Sequence, residues 1–199
     1  MQDQLQAGSD LLSGPFIFTG NLIQKDIMIE ILRQRRSIRN YTAQKIEPEK
    51  LAILKEAVLR SPSSKNINPW AFIFVDKPKL ITELKNCKPH GVKSLATAPL
   101  AVVVCADENL NDAWIEDCSI ASILLQLTAQ SLDLGSCWIQ VRNRMQSDEV
   151  SAEKYIQDLL HIPPNFRVLN IVSVGYPEKQ REGKAFSELQ FEKIHDNMF

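Results

Sequence analysis

Hydrophobic positions in the first third of the chain recur with the spacing of α-helices. A first helix is predicted to begin after Asp26, a favourable N-cap, and to run into Arg35. A second is predicted to open with Pro48 in its first turn and to end before Ser61. The apolar stripes of these helices are Ile27, Ile31 and Leu32 in the first, and Leu51, Leu54, Ala57 and Val58 in the second.

Farther along, short runs of branched and aromatic residues alternate with longer helical patterns. Strands are predicted at 70–75, 99–105, 137–141 and 167–174, and helices at 78–85, 112–134 and 149–160. This order predicts an α+β fold with helices packed on a central sheet.

The helix predicted at 112–134 is apolar nearly all round, with its larger side chains on one side. Such a helix belongs in a core or in a subunit interface. Gly135 is predicted to end it. The larger side chains are Ile120, Ile123, Leu124 and Leu127.

A length of 199 residues suits one domain. Residues 1–24 are irregular and are expected to form an arm or a disordered extension, which leaves 25–199 as the single domain. The polar tail after Glu178 carries isolated apolar residues, so we expect it to pack onto a partner.

Charge and cysteine content exclude several classes of function. A net charge of -1 gives no overall attraction to nucleic acid or to anionic membranes. The four cysteines form no Cys-x-x-Cys pair and the three histidines stand far apart, so neither a disulfide framework nor a metal site is expected. The acidic leader and the lack of any apolar run near the ~20 residues of a membrane span predict a cytoplasmic protein.

A basic segment, Arg35-Arg36-Ser37-Ile38-Arg39, follows the first predicted helix. If the helix continues, Arg35 and Arg39 share a face. If the chain is extended, Arg35, Ser37 and Arg39 alternate onto one side. Both cases bring two guanidinium groups and a hydroxyl together, which suits a phosphate. The plainer interpretation is a solvated basic helix end that complements the helix dipole.

Two other segments have the composition of binding loops. Residues 61–70 bring the amides of Asn66 and Asn68 ahead of an aromatic-rich strand, and amides can read the mixed edge of a heterocycle. In residues 134–140, small residues allow close backbone approach while Trp138 offers an apolar surface. Each also has a purely structural interpretation. Residues 61–70 would be a Pro/Ser/Asn turn, and residues 134–140 a capped helix end that leads into a core strand.

In their order, these segments resemble the nitroreductase family of FMN enzymes, from about Lys25 to Lys184. The basic segment is similar to the family's Arg-x-Ser-x-Arg/Lys element, and residues 62–70 to its Pro-Ser-x-x-Asn-x-Gln-Pro-Trp segment. Residues 135–139 match its Gly-Ser-Cys-Trp-Ile run, and residues 175–177 its late Gly-Tyr-Pro.

The resemblance implies a central, mostly antiparallel sheet flanked by helices, in a domain-swapped homodimer that holds FMN between its subunits. Arg35, Ser37 and Arg39 would hold the phosphate and the N1/C2 side of the flavin, with further contact from Arg36. Asn66 would bond near N5 or O4. Lys184 would be the C-terminal cation that reaches the phosphate. The partner subunit would supply Pro62, Ser63, Ser64 and Asn68, and the ring would be lined by Trp138, Ile139 and Gln140.

The sequence departs from the family pattern at three places. Asn68 stands where the family commonly has Gln, one methylene longer, and Gln140 replaces a frequent Gly beside the ring. The basic cluster expected after Gly-Tyr-Pro is dispersed over Lys179, Arg181 and Lys184.

The implied function is transfer of a hydride from NAD(P)H through FMN to a nitroaromatic, quinone or similar acceptor. No side chain is expected to act as a catalytic group, because the cofactor carries the chemistry. The alternatives are reductive dehalogenation or flavin fragmentation on the same fold, and a flavin-binding module without turnover. A nucleic-acid protein would need a second basic stripe, and a hydrolase would need a Gly-x-Ser-x-Gly elbow.

Overall fold

The computed structural model describes residues 27–199, and Ile31–Phe199 form one compact unit. The predictions for residues 1–24 and for Asp26 as a helix cap lie outside the described residues. The helices are α1 (Ile27–Gln34), α2 (Pro48–Leu59), α3 (Pro78–Leu84), α4 (Trp114–Ser131) and α5 (Ala152–Leu160). The strands are β1 (Trp70–Val75), β2 (Leu100–Asp107), β3 (Gly135–Gln140) and β4 (Phe166–Gly175). Single turns of 3₁₀-helix lie at Ser64–Asn66, Lys85–Cys87, Lys93–Ala96, Phe186–Glu188 and Phe191–Lys193.

The four strands form one sheet in the order β1-β2-β4-β3, and each neighbouring pair is antiparallel. The long apolar strands β2 and β4 are central, whereas β1 and β3 are the edges. The predicted α+β fold with an antiparallel sheet is therefore confirmed.

Side-chain alternation along β2 builds a core on each face of the sheet. Ala101 and Val103 face a layer that includes α3 and α5, while Val102 and Val104 face α2 and α4. This alternation follows from the two-residue period of a strand.

Helix α4 packs with a different face from the one that its large side chains suggested. Its core side consists of small residues such as Ala121 and Ala129, together with Leu125. Ile120 and Ile123 keep 39% and 38% of their surface exposed, so this apolar side remains on the outside of the chain. Small residues face the core because the helix lies close against α2 and the sheet.

The end of α4 corrects the prediction that Gly135 terminates it. The helix ends at Ser131, and Asp133 takes the left-handed conformation, with φ 61°. The Leu134 amide then donates to the carbonyl of Ala129 (2.9 Å). Gly135 is already the first residue of β3.

Helix α5 begins at Ala152 rather than at residue 149. Ser151 is its N-cap, and the Ser151 Oγ accepts a hydrogen bond from the Lys154 amide (3.0 Å). Within the described part of the chain, no helix is both long and apolar enough to cross a bilayer.

Candidate functional site

The basic segment lies along the outer edge of β3. Helix α1 ends at Gln34, and the chain becomes extended, so that Ser37 pairs with Ser136 as a parallel bridge. The Ile38 amide donates to the Ser136 carbonyl over 2.9 Å. Of the two conformations open to the segment, the structure adopts the extended one. The basic segment and residues 134–140 are therefore neighbours in the structure.

Gly135 makes this approach possible. A Cβ atom at Gly135 would lie 2.6 Å from Ile38 Cγ1 and 2.7 Å from Ile38 Cβ, well inside contact distance. Ile38 is 5% exposed and anchors the segment to the core. The glycine thus serves close packing between two segments of backbone rather than helix termination.

Tyr41 is a buried anchor that the sequence analysis missed. Its hydroxyl donates to the Ile38 carbonyl (2.8 Å) and lies 2.9 Å from Ser173 Oγ on β4. Burial raises the pKa of this hydroxyl above its ordinary value, so it remains a neutral donor. Tyr41 also forms a bridge with Pro177, which ties the Gly-Tyr-Pro turn to the basic segment. An aromatic residue two positions after Arg39 is the only sign of this anchor that the sequence offers.

A cavity of ≈ 580 Å³ opens beside the basic segment. This volume falls within the roughly 300–1,000 Å³ of small-molecule sites. Five cationic side chains line it together with one hydroxyl and one carboxylate, and within the described residues none of the five cations has a side-chain hydrogen bond or an ion pair. The lining residues are Leu32, Arg35, Arg36, Ser37, Arg39, Arg181, Lys184, Glu188 and Leu189.

The tail reaches this cavity because Gly183 lies directly on the end of α1. A Cβ atom at Gly183 would fall 1.7 Å from the carbonyl oxygen of Arg33, so only glycine fits this backbone contact. Arg181 and Lys184 flank the contact and line the cavity. The structure therefore brings Arg35, Arg36, Ser37, Arg39 and Lys184 of the predicted site together, and adds Arg181.

The polar loop before β1 is held by internal hydrogen bonds and lies outside this cavity. Lys65, Asn66 and Asn68 all have positive φ, between 52° and 56°. Ser63 Oγ donates to Asn68 Oδ1 (2.7 Å) and accepts from the Asn68 amide (2.8 Å). Eight of the predicted residues do not line the cavity of their own chain: Pro62, Ser63, Ser64, Asn66 and Asn68 in this loop, and Trp138, Ile139 and Gln140 at the end of β3.

A buried carboxylate on α4 holds the loop in place. Asp117 is 2% exposed; its Oδ1 accepts from the Ser64 amide (2.9 Å) and its Oδ2 from Asn111 Nδ2 (2.8 Å). Asp117 lies in the first turn of α4, where the helix dipole favours a negative charge. No sequence pattern linked this residue to a loop more than 50 positions earlier.

The three predicted residues at the end of β3 point in two directions. Trp138 packs on the α4 side of the sheet, whereas Ile139 is 1% exposed in the core on the opposite side. Only the backbone of Ile139 can face a ligand. Gln140 is held from both sides, because its Oε1 accepts from Trp138 Nε1 (2.9 Å) and its Nε2 donates to the Arg142 carbonyl (3.0 Å).

Lys88 is a further polar group at the same strand end. Its Nζ donates to the Gln140 carbonyl over 2.6 Å, and burial lowers the pKa of this ammonium. Elsewhere in the described residues, no group of three His, Cys, Asp or Glu side chains could hold a metal. All four cysteines are buried and free, and burial raises the pKa of Cys87 to about 11 and that of Cys105 to about 12. Neither thiol is therefore a reactive thiolate at neutral pH.

Comparison with known proteins identifies the fold and the family. The nitroreductase family model matches residues 32–88 and 82–176. A protein of Archaeoglobus fulgidus, named for NADH dehydrogenase and NAD(P)H nitroreductase activity, is 34% identical over 77% of this chain and 87% of its own length. The solved structure of an FMN-dependent nitroreductase from Clostridium difficile superposes with a TM-score of 0.84 at 45% identity, covering 86% of this chain and 99% of the other. A structure from Parabacteroides distasonis superposes with a TM-score of 0.78 at 31% identity, over 86% and 98% of the two chains. The chain belongs to the nitroreductase family.

Proposed function

We propose that this chain is an FMN-dependent oxidoreductase that takes a hydride from NAD(P)H and passes it to a nitroaromatic, a quinone or a similar acceptor. The observation that carries the proposal is the cavity beside β3, which Ser37 lines together with five cations that form no ion pair with any described residue. Family membership supports the oxidoreductase class, and a similar solved protein is FMN-dependent by name. The shape of the pocket, and not the fold, determines which acceptor the enzyme uses in the cell.

The residues of the cavity fit the phosphate end of FMN. Arg35 and Arg39 offer planar forks of donors that match phosphate oxygens, and Ser37 adds a hydroxyl between them. Lys184 would complete the cradle from the tail, and Arg36 would add a further contact. A cluster of unpaired cations is unfavourable by itself, so an anionic ligand relieves repulsion that the free protein bears.

Bound FMN supplies a ring nitrogen, N5, that accepts and gives up hydride. The role of the protein is then to position the flavin and its substrates and to stabilise the charge that develops on the ring. Arg39 would stabilise the negative charge that the N1/C2 side of the ring gains on reduction, as a preorganised cation. Trp138 and the backbone of Ile139 and Gln140 would line the ring. Asn66 would bond near N5 or O4, and Gln140, held by Trp138, would narrow the space beside the ring.

We further propose that each site is completed by a second copy of the chain. Pro62, Ser63, Ser64 and Asn68 lie outside the cavity of their own chain, in a loop that internal hydrogen bonds hold in one conformation. The loop therefore has a conformation ready for binding, but the cavity of its own subunit offers it no ligand to contact. The apolar outer side of α4 supports the same conclusion, because exposed patches of this kind mark interaction surfaces.

The test is to purify the protein without added flavin and to record its visible spectrum. We expect a flavin spectrum, FMN near one per chain after denaturation, and bleaching by NAD(P)H in the same sample. A protein that is colourless and does not take up added FMN would overturn the proposal. FMN retention without bleaching would instead identify a flavin-binding module that does not turn over.

A variant separates the role of Arg39 from general charge. Arg39→Ala is expected to lose FMN and turnover, whereas Lys79→Ala, an exposed cation on α3 away from the cavity, retains both. Wild-type FMN retention and turnover in Arg39→Ala would remove Arg39 from the site.

A further inference from the structure

The cavity beside β3 carries more positive charge than one flavin phosphate neutralises. Arg35, Arg36, Arg39, Arg181 and Lys184 face it, against the single carboxylate of Glu188. That carboxylate is itself engaged, because Glu188 Oε2 accepts from the Ala185 amide (2.8 Å). A phosphate monoester carries about −1.5 to −2 charges near neutral pH. Roughly two positive charges therefore remain after FMN is bound.

This excess is local and is not a property of the whole protein. The chain as a whole has a net charge of -1. Elsewhere in the described residues some cations are paired with carboxylates, as Arg167 is with Glu108 and Glu153. Within the described part of the chain, the five cations that line the cavity form no ion pair. Unpaired like charges that gather on one side of a balanced protein indicate a second anionic group on the ligands that bind there.

Arg181 is the cation that no role in the flavin site requires. It is exposed on the tail side of the cavity, two residues before the contact between Gly183 and the end of α1. That contact fixes the backbone next to Arg181, so the guanidinium is presented to the cavity at reduced cost in chain entropy.

We propose that Arg181 binds the 2′-phosphate of NADPH, and that the enzyme consequently prefers NADPH to NADH as electron donor. The inference rests on the proposed function and specifies its donor. NADPH differs from NADH by one phosphate monoester, which is the group that a free guanidinium recognises with paired hydrogen bonds. The residue that determines the preference for NADPH therefore belongs to the tail and not to the surroundings of the flavin ring.

The experiment compares kcat/KM for NADPH and NADH in the FMN-loaded protein, with p-benzoquinone as acceptor. We expect wild type to favour NADPH by about tenfold or more, the range of one charge-assisted contact. Arg181→Gln should lower kcat/KM for NADPH to near that for NADH, chiefly through KM, and leave the value for NADH within about twofold. Lys179→Gln is the matched control, since Lys179 is an exposed tail cation that does not line the cavity.

A binding measurement gives a readout independent of turnover. Calorimetry on the FMN-loaded protein should show that 2′,5′-ADP binds more tightly than 5′-AMP, and that Arg181→Gln removes most of this difference. Equal use of the two nucleotides by wild type, equal binding of 2′,5′-ADP and 5′-AMP, or equal effects of Arg181→Gln and Lys179→Gln would each overturn the proposal. These outcomes leave FMN content and NAD(P)H oxidation intact, so they differ from failure of the proposed function itself.

Discussion

Gly135 lets the basic segment lie flat against β3, and this single position controls where Arg35, Ser37 and Arg39 stand. A backbone hydrogen bond from the Ile38 amide to the Ser136 carbonyl joins the segment to the strand. Ile38 packs directly over Gly135, where a Cβ atom would meet three of its side-chain atoms at 2.6 to 2.9 Å. The position of the proposed phosphate-binding residues thus depends on the absence of a side chain at residue 135.

Replacing Gly135 with alanine is expected to destabilise the fold by about 1–3 kcal/mol, the cost of overpacking a tight core contact. Ile38 cannot turn away, because its own Cβ is 2.7 Å from the added atom. The displaced segment should also weaken FMN binding. Urea denaturation and FMN titration measure the two effects, and Ser136→Ala at the next position serves as the control. An unchanged denaturation midpoint in Gly135→Ala would show that the segment does not depend on this contact.

Most of the charged residues that line the cavity could be predicted from the sequence, but the groups that position them could not. Arg35, Ser37 and Arg39 were recognisable because their alternation survives in any extended chain. Tyr41 and Asp117 were not, since each acts on backbone that is distant in sequence, and a single polar residue in an apolar context carries no periodic signal. Their roles follow from long-range hydrogen bonds, such as the one between Asp117 and the Ser64 amide.

At the scale of elements, the loop between α2 and β1 is shaped by its neighbour α4. Three residues of the loop hold left-handed backbone conformations, each of which costs free energy for a residue with a side chain. Asp117 offsets this cost by accepting bonds from Ser64 and Asn111 with its two oxygens. A helix that packs in the core therefore also fixes the conformation of the loop before β1.

Replacing Asp117 with asparagine should loosen this loop. An amide presents only one oxygen, so a donor, either the Ser64 amide or Asn111 Nδ2, loses its acceptor at a cost of about 1–3 kcal/mol. Hydrogen exchange at Ser64 and cleavage after Lys65 by trypsin should both become roughly 5- to 100-fold faster if the loop opens locally. Glu116→Gln changes an exposed carboxylate on the same helical turn and should have no such effect. Equal protection of Ser64 in the two variants would contradict this role of Asp117.

The tail is a second element whose position depends on one contact. Among the described residues from 178 to 199, no side chain is buried in the core, yet Gly183 rests on the Arg33 carbonyl. Gly183→Ala is expected to dislodge the tail and to raise the dissociation constant of FMN by about tenfold or more, since Lys184 loses a charge-assisted bond to the phosphate. The denaturation midpoint should hardly change. Ser187→Ala, farther along the tail, is the control, and tight FMN binding by Gly183→Ala would show that the tail is not needed.

The elements themselves were largely legible in the sequence. Strand β1 and helix α2 were predicted with the bounds that the structure has, because aromatic residues and prolines mark their ends. The end of α4 was not, because Gly135 serves Ile38 while Asp133 takes the left-handed position. A glycine at a helix end has two physical explanations, and only tertiary structure distinguishes them.

For the whole molecule, the outer surface of α4 and α2 is the feature that a single chain leaves unexplained. Ile53 and Leu59 of α2 are 43% and 64% exposed, and Ile120 and Ile123 of α4 add further apolar surface. The sequence predicted that α4 belongs in a core or an interface, and the structure shows one side of it packed in the core and the other side exposed. A symmetric pairing of two chains would cover this surface and would place two copies of each motif across one interface.

Mixing two inactive variants tests this arrangement directly. One variant carries Arg39→Ala, which damages the basic segment, and the other carries Ser63→Ala with Asn68→Ala, which removes the hydrogen bonds of the loop. If each site combines the basic segment of one chain with the loop of its partner, a mixed dimer has one site with both lesions and one with none. Random exchange of subunits should then restore about a quarter of wild-type activity, because half of the dimers are mixed and each has one intact site.

The alternative arrangement gives the opposite result. If both elements of a site came from the same chain, every site in the mixture would carry one lesion, and activity would stay at the level of the separate variants. The mixture is denatured and refolded together so that subunits exchange, and sedimentation measures the oligomeric state. As a control, Ile123→Glu in both chains should keep them apart, because a carboxylate on the outer side of α4 would have to be buried unpaired in the interface. Restoration that persists with Ile123→Glu would mean that the two chains meet through another surface.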